Sequence, residues 1–81
     1  MLNYKNLSGK SNVVRFEIGP SFIVVEFTDG RERFYKYSYS SAGQNNVEYM
    51  KSLAIQGEGL NSFIMLNVKN NYEPKMVIDV Q

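Results

Sequence analysis

The sequence predicts an α+β domain in which an antiparallel β-meander of three to four strands carries two short helices packed on one face. Segments of alternating hydrophobicity fill the first half of the chain, and two segments of helical spacing follow. Because 81 residues suit one core, and 43% of them are hydrophobic and 14% aromatic, we expect a single folded domain.

Alternation and turn residues define the strands. Residues 12–18 alternate between apolar and polar positions, and the Gly-Pro pair at 19–20 interrupts them. Residues 21–28 are rich in β-branched and aromatic side chains, which favour strands. The Asp-Gly pair at 29–30 is typical of a two-residue hairpin turn, so a third strand is predicted over 31–39.

These turns predict the pairing of the strands and therefore their faces. A loop at 29–30 places Glu26 opposite Arg33, and a loop at 19–20 places Phe16 opposite Ile23. The predicted core face comprises Val14, Phe16, Ile18, Ile23, Val25, Phe27 and Phe34. The predicted open face comprises Arg15, Glu17, Phe22, Val24, Glu26, Arg31, Arg33, Tyr35 and Tyr37.

The second half of the chain predicts two helices. Residues 40–44 are expected to form a loop, after which Asn45 or Asn46 caps a helix that ends near Gln56 at Gly57. A second helix is predicted over 59–70 from the spacing of its apolar residues.

Outside this core we predict two terminal segments. Residues 1–11 form a flexible lead-in or an edge strand, residues 12–72 form the main domain, and residues 73–81 add a C-terminal strand in which Met76, Ile78 and Val80 alternate.

The composition excludes several kinds of functional site. The chain has no Cys and no His, so disulfides, thiolate or imidazole metal sites and the usual nucleophile–base pairs are excluded. We therefore expect that the protein is not an enzyme and that it binds neither a metal ion nor a cofactor. The net charge of +1 creates no global attraction for anions. The polar residues after Met1, and the lack of a long apolar run, favour a soluble cytoplasmic protein with no membrane contact.

The densest polar-aromatic cluster lies on the third strand. Its members are Arg31, Arg33, Tyr35, Lys36, Tyr37 and Tyr39, of which the first five are the candidate binding residues. Aromatic rings on a strand can stack unpaired bases while cations hold phosphates. The pattern favours a structural role, in which the tyrosines cover a sheet face and Arg33 pairs with Glu26, but the binding role stays open.

The chain also resembles the KTSC domain, a family found at the C-terminal end of some lysyl-tRNA synthetases. The resemblance rests on residues 22–28, Gly30, Tyr35-Lys36-Tyr37, Ala54, Gly59-Leu60-Asn61-Ser62-Phe63-Ile64 and Tyr72. Leu60 replaces the family's usual aromatic residue, and residues 40–44 replace a shorter Val-Pro entry to the helix. The family-like positions are Tyr35, Tyr37, Gly59, Asn61 and Tyr72. The resemblance implies a small binding module that contacts RNA or protein.

Together these observations predict a non-enzymatic binding module for RNA or single-stranded nucleic acid. The alternative is a protein-interaction or homodimer module that uses the open sheet face or an edge strand, with Phe22, Val24 and Tyr35 at the centre of the contact.

Overall fold

The computed structural model describes residues 1–28 and 33–73, and it confirms the predicted α+β class. Four strands form one antiparallel sheet in the order β1-β2-β3-β4. The elements are β1 (Leu2–Asn3), β2 (Val13–Ile18), β3 (Phe22–Phe27), β4 (Phe34–Ser38), α1 (Tyr39–Ala42), α2 (Gln44–Gln56), α3 (Leu60–Phe63) and a π-helical segment (Ile64–Val68). Apart from residue 73, the predicted C-terminal strand lies outside the described residues.

The β2–β3 hairpin turns one residue later than the sequence predicts. The Gly19 amide donates to the Phe22 carbonyl at 2.9 Å, so Pro20 and Ser21 form the loop. Proline fits there because its missing N–H is not needed for pairing. Phe16 consequently lies opposite Val25, and the predicted pairing with Ile23 is wrong by two residues. A two-residue shift leaves the faces unchanged, so Phe16 still belongs to the core.

A bulge in β2 overturns the prediction for Val14. Val13 pairs with Phe27 and Arg15 pairs with Glu26, so β2 has one more residue than β3 in this stretch. Val13 is therefore 2% exposed, whereas Val14 is 36% exposed and lies outside the core.

The β3–β4 pairing is one residue away from the predicted register. Glu26 lies opposite Phe34, and Ile23 lies opposite Tyr37, so the predicted Glu26–Arg33 pairing is wrong. The predicted Asp-Gly turn lies outside the described residues. Because side chains alternate, a one-residue shift exchanges the faces of the whole strand. Tyr37 is accordingly buried, and Phe34 is 39% exposed.

A short helix replaces the predicted loop at 40–44. The Ser38 hydroxyl accepts a hydrogen bond from the Ser41 amide, and the Ser41 hydroxyl accepts one from the Ser38 amide. This reciprocal capping starts α1 directly after β4. Gly43 then precedes α2, and Asn46, predicted as a cap, instead donates to the Ala42 carbonyl at 2.9 Å.

Helix α2 ends at Gly57, as the sequence predicts. Gly57 has φ = 85°, a left-handed conformation that glycine adopts without the steric cost of a side chain. A Cβ atom there would lie 2.6 Å from Lys5 Cβ, and the Gly57 carbonyl accepts from the Leu7 amide at 2.8 Å. The N-terminal segment therefore packs against the end of α2, and its β1 is an edge strand of the sheet.

The core lies between one face of the sheet and the helices. Helix α2 contacts β3, β4 and α3, which confirms that the helices cover one face. The buried apolar residues are Tyr4, Val13, Phe16, Ile23, Val25, Phe27, Tyr37, Ala42, Val47, Met50, Leu53, Ala54, Leu60, Ile64 and Val68. Every helix in the described ranges is too short or too polar to cross a membrane.

Candidate functional site

A cavity of about 430 Å³ opens between the core face of the sheet and the helical wall that begins at α3. Its lining residues are Asn12, Phe27, Tyr35, Tyr37, Asn61, Met65, Lys69, Asn70 and Tyr72, and we call it the tyrosine pocket. Its volume lies within the range of about 300–1,000 Å³ that is usual for small-molecule sites.

Strand β4 places two tyrosines on the sheet side of this pocket. Tyr35 and Tyr37 are two residues apart in a strand, so both side chains point to the same face. Tyr37 is 1% exposed and forms the floor, whereas Tyr35 is half-buried. The Phe27 ring lies edge-on to Tyr35, with 5.5 Å between centroids.

Tyr72 joins these rings from the far end of the described chain. Its centroid lies 4.7 Å from that of Tyr35 and 6.3 Å from that of Tyr37. The next residue, Glu73, donates its amide to the Lys36 carbonyl at 2.8 Å, which holds this segment beside β4. The three phenol rings therefore form one aromatic cluster.

The opposite wall is helical. Asn61, Met65 and Lys69 recur every four residues along α3, the π-helical segment and its end, so they share one side of the wall. Ile64 and Val68 are fully buried and anchor this wall in the core. Wide π-helical turns are frequent at functional sites.

The lining combines aromatic, amide and cationic groups. Asn12, Asn61 and Asn70 each provide an amide that can donate and accept hydrogen bonds, and Lys69 provides an ammonium group. No carboxylate belongs to the lining in the described part of the chain. The pocket therefore suits a flat ligand that has a polar edge and a negative charge.

Burial, followed by the neighbouring phenols of Tyr35 and Tyr72, raises the pKa of Tyr37 well above its usual value. Like an ordinary tyrosine, its phenol is neutral at pH 7, and it can donate or accept a hydrogen bond without changing charge. This property suits recognition of a polar ligand better than proton transfer.

Comparison of the chain with protein-family models, with curated proteins and with solved structures finds no match. The resemblance to the KTSC domain therefore stays a prediction. Among residues 1–28 and 33–73, no three acidic side chains cluster closely enough to hold a metal ion.

The predicted binding cluster is divided between the two faces of the sheet. Tyr35 and Tyr37 line the pocket, whereas Lys36 lies on the open face with its Nζ 4.5 Å from the centroid of the Phe22 ring. Arg33 also lies on the open side, with Nε 3.4 Å from Glu26 Oε2. The predicted open face, which placed Tyr35 and Tyr37 beside Arg33, is therefore wrong. Arg31 lies outside the described residues.

The predicted centre of a protein contact is divided in the same way. Phe22 and Val24 are half-buried on the open face, while Tyr35 lies on the core face of the sheet. A contact through the open face would not include Tyr35.

The family-like positions lie closer together in the structure than the residues of the predicted binding cluster. Tyr35, Tyr37, Asn61 and Tyr72 all line the tyrosine pocket. The remaining one, Gly59, precedes α3 with φ = 84° and lines a smaller cavity next to it.

The sequence analysis missed several pocket residues. These are Asn12, Phe27, Met65, Lys69 and Asn70. The four-residue spacing from Asn61 through Met65 to Lys69 is a signal that could have identified one wall.

On the open face, Glu26 is a buried carboxylate held by two arginines. Its side chain is 4% exposed, Arg15 Nε lies 2.5 Å from Oε1, and Arg33 Nε lies 3.4 Å from Oε2. The hydrogen bond from Arg15 lowers the pKa of Glu26, burial opposes this, and the charges of Arg15 and Arg33 lower it further. The folded state therefore favours the ionised carboxyl group.

We expect Glu26→Gln to weaken the acid dependence of stability. The wild-type contribution of Glu26 is present above the usual glutamate pKa of 4.5 and is lost as pH falls through the lower pKa of the folded state. The variant should be less stable at pH 7 and should lose less stability between pH 5 and 3, as measured by urea unfolding. The control is Glu17→Gln, an exposed position on β2, which should follow the wild type. Equal slopes for wild type and Glu26→Gln would contradict this account.

Proposed function

We propose that this domain is a non-enzymatic binding module that takes one unpaired nucleotide of RNA or single-stranded DNA into the tyrosine pocket. The observation that carries the proposal is the meeting of Tyr35, Tyr72 and Lys69 in one cavity with three asparagine amides.

The aromatic rings support recognition of a base. Tyr35 and Tyr72 are both half-buried, so each is held by the core and still accessible from the pocket. Proteins bind unpaired bases by stacking them on such rings, and each stacked base contributes about 1–3 kcal/mol. The rings are already clustered, which lowers the entropy cost of ordering them on binding.

The polar groups support a nucleotide over an apolar ligand. Asn12, Asn61 and Asn70 can pair with the donors and acceptors on a base edge. Lys69 supplies a point charge for a phosphate. The neutral phenol of Tyr37 adds a hydrogen-bonding group at the floor of the pocket.

Membership of the KTSC family and a cytoplasmic location are parts of the same proposal. Four family-like positions, Tyr35, Tyr37, Asn61 and Tyr72, lie in one pocket, as expected if that pattern marks a binding site. RNA is an abundant partner in the cytoplasm.

The test is a fluorescence titration with the four ribonucleoside monophosphates and the four homohexamers of RNA. At least one hexamer should bind, and Tyr35→Ala should weaken its binding about 5- to 150-fold, the equivalent of one stacked base. Circular dichroism should show that the variant is folded.

The matched control is Tyr49→Ala. Tyr49 is 53% exposed on α2, contacts the Phe63 ring and does not line the tyrosine pocket. It should retain wild-type affinity. If no nucleotide or hexamer binds, or if both tyrosine variants bind equally well, the proposal is wrong.

A further inference from the structure

A second cavity of about 270 Å³ adjoins the tyrosine pocket. Its lining residues are Ser8, Lys10, Ser11, Gly59, Asn61 and Ser62. Asn61 lines both cavities, so the two are neighbours along one surface. Lys69 lines the tyrosine pocket, and Lys10 lines the second cavity. The shared residue Asn61 marks the boundary between the two cavities.

The loop that carries Lys10 is held in place by its own hydrogen bonds. Asn6 Oδ1 accepts from the Ser11 amide at 3.0 Å, and Asn6 Nδ2 donates to the Ser11 carbonyl at 3.3 Å. The Lys10 amide donates to Ser8 Oγ at 3.1 Å. These bonds order the backbone on both sides of Lys10, so only its side chain would have to be ordered by a ligand.

The chemistry of the second cavity suits a phosphate. Lys10 contributes an ammonium group, Ser8 and Ser62 contribute hydroxyl groups, and Asn61 contributes an amide. Its described lining contains no carboxylate that would repel an anion.

We propose that this cavity holds the phosphodiester next to the nucleotide bound in the tyrosine pocket. The inference rests on the proposed function and adds a direction to it: the strand passes Asn61 from the cavity with Lys69 to the cavity with Lys10. Charge complementarity supports this path, because a single strand presents successive phosphates and the described lining of each cavity includes a lysine.

The test compares Lys10→Gln with wild type on two probes, the homohexamer that binds most tightly and the corresponding nucleoside monophosphate. We expect Lys10→Gln to weaken hexamer binding about 5- to 10-fold and to leave monophosphate binding unchanged. The slope of log affinity against log salt for the hexamer should fall by about 0.7, the value for one lost phosphate contact on a single strand.

The matched control is Lys5→Gln, since Lys5 is exposed and lines neither cavity. It should reproduce the wild-type affinities for both probes. Inorganic phosphate is a third probe, and its effect is measured by NMR on the amide resonances of Ser8, Lys10 and Ser11. We expect the hexamer to shift these resonances and inorganic phosphate at the same concentration to leave them unchanged.

The outcomes separate the two proposals. If hexamer binding depends on Tyr35 but Lys10→Gln weakens neither probe, or weakens both equally, the phosphate path is wrong and the nucleotide pocket stands. If inorganic phosphate alone saturates the loop, the cavity is a free-anion site and the path is again wrong. If no probe binds, both proposals are wrong.

Discussion

Tyr37→Ala is expected to destabilise the domain by about 3–5 kcal/mol, the range for removing a large aromatic side chain from a core. Tyr37 is 1% exposed, lies opposite Ile23 in the β3–β4 pairing, and packs edge-on against Tyr72. Alanine would leave a void in the core beneath the edge strand β4 and remove the floor of the tyrosine pocket. Domains of this size have a free energy of unfolding of about 5–15 kcal/mol, so the loss is a large fraction of the total.

The matched substitution is Tyr37→Phe, which keeps the ring and removes only the hydroxyl group. We expect its free energy of unfolding to stay within about 1.5 kcal/mol of wild type, since one hydrogen-bonding group is lost without a cavity. Urea unfolding followed by circular dichroism measures both variants. If Tyr37→Ala unfolds at nearly the wild-type urea midpoint, then Tyr37 is not a core residue and the pairing of β4 is wrong.

This result also decides how the binding site should be tested. Loss of nucleotide affinity in Tyr37→Ala would not distinguish a missing contact from an unfolded domain. Tyr35 is half-buried beside the pocket, so its replacement removes a binding surface with a smaller effect on folding. Tyr37→Phe then reports on the hydroxyl group alone.

Local patterns predicted the elements of this fold well. Alternation identified β2, β-branched and aromatic residues identified β3, and the strand predicted after the Asp-Gly pair contains β4. Gly57 identified the end of α2, since its φ of 85° is a conformation that most other residues avoid.

Register was the point at which sequence reasoning failed. The faces of β4 depend on the parity of the β3–β4 connection, and an Asp-Gly pair does not determine that parity by itself. One residue of error moved Tyr35 and Tyr37 from the pocket to the open face. In β2, a bulge likewise shifts the alternation of side chains by one residue, so that Val14 lies outside the core.

The pocket was harder to predict because it is assembled from distant parts of the chain. Asn12 precedes β2, Tyr35 lies on β4, Asn61 lies on α3, and Tyr72 follows the π-helical segment. No local periodicity connects these positions. Their proximity follows from the tertiary packing of the helices against the sheet.

Ile64→Ala, the second substitution with a large expected effect, tests whether the helical wall depends on that packing. Ile64 is fully buried in the first position of the π-helical segment. Replacing a buried isoleucine with alanine costs about 2–5 kcal/mol. Leu66→Ala is the matched control two residues away: Leu66 is 83% exposed, so its loss should change stability by no more than about 0.5 kcal/mol.

The two substitutions should also differ in binding. Ile64 is adjacent to Met65, which lines the pocket, so loss of its anchor should loosen the wall that carries Met65 and Lys69. Hexamer affinity, measured at a temperature at which circular dichroism shows Ile64→Ala to be folded, should fall, while Leu66→Ala should bind like wild type. Equal stability of the two variants would show that the wall is not anchored through Ile64. Wild-type affinity in a destabilised but folded Ile64→Ala would instead show that a ligand does not depend on the geometry of this wall, and would place the binding energy on the tyrosines of the opposite side.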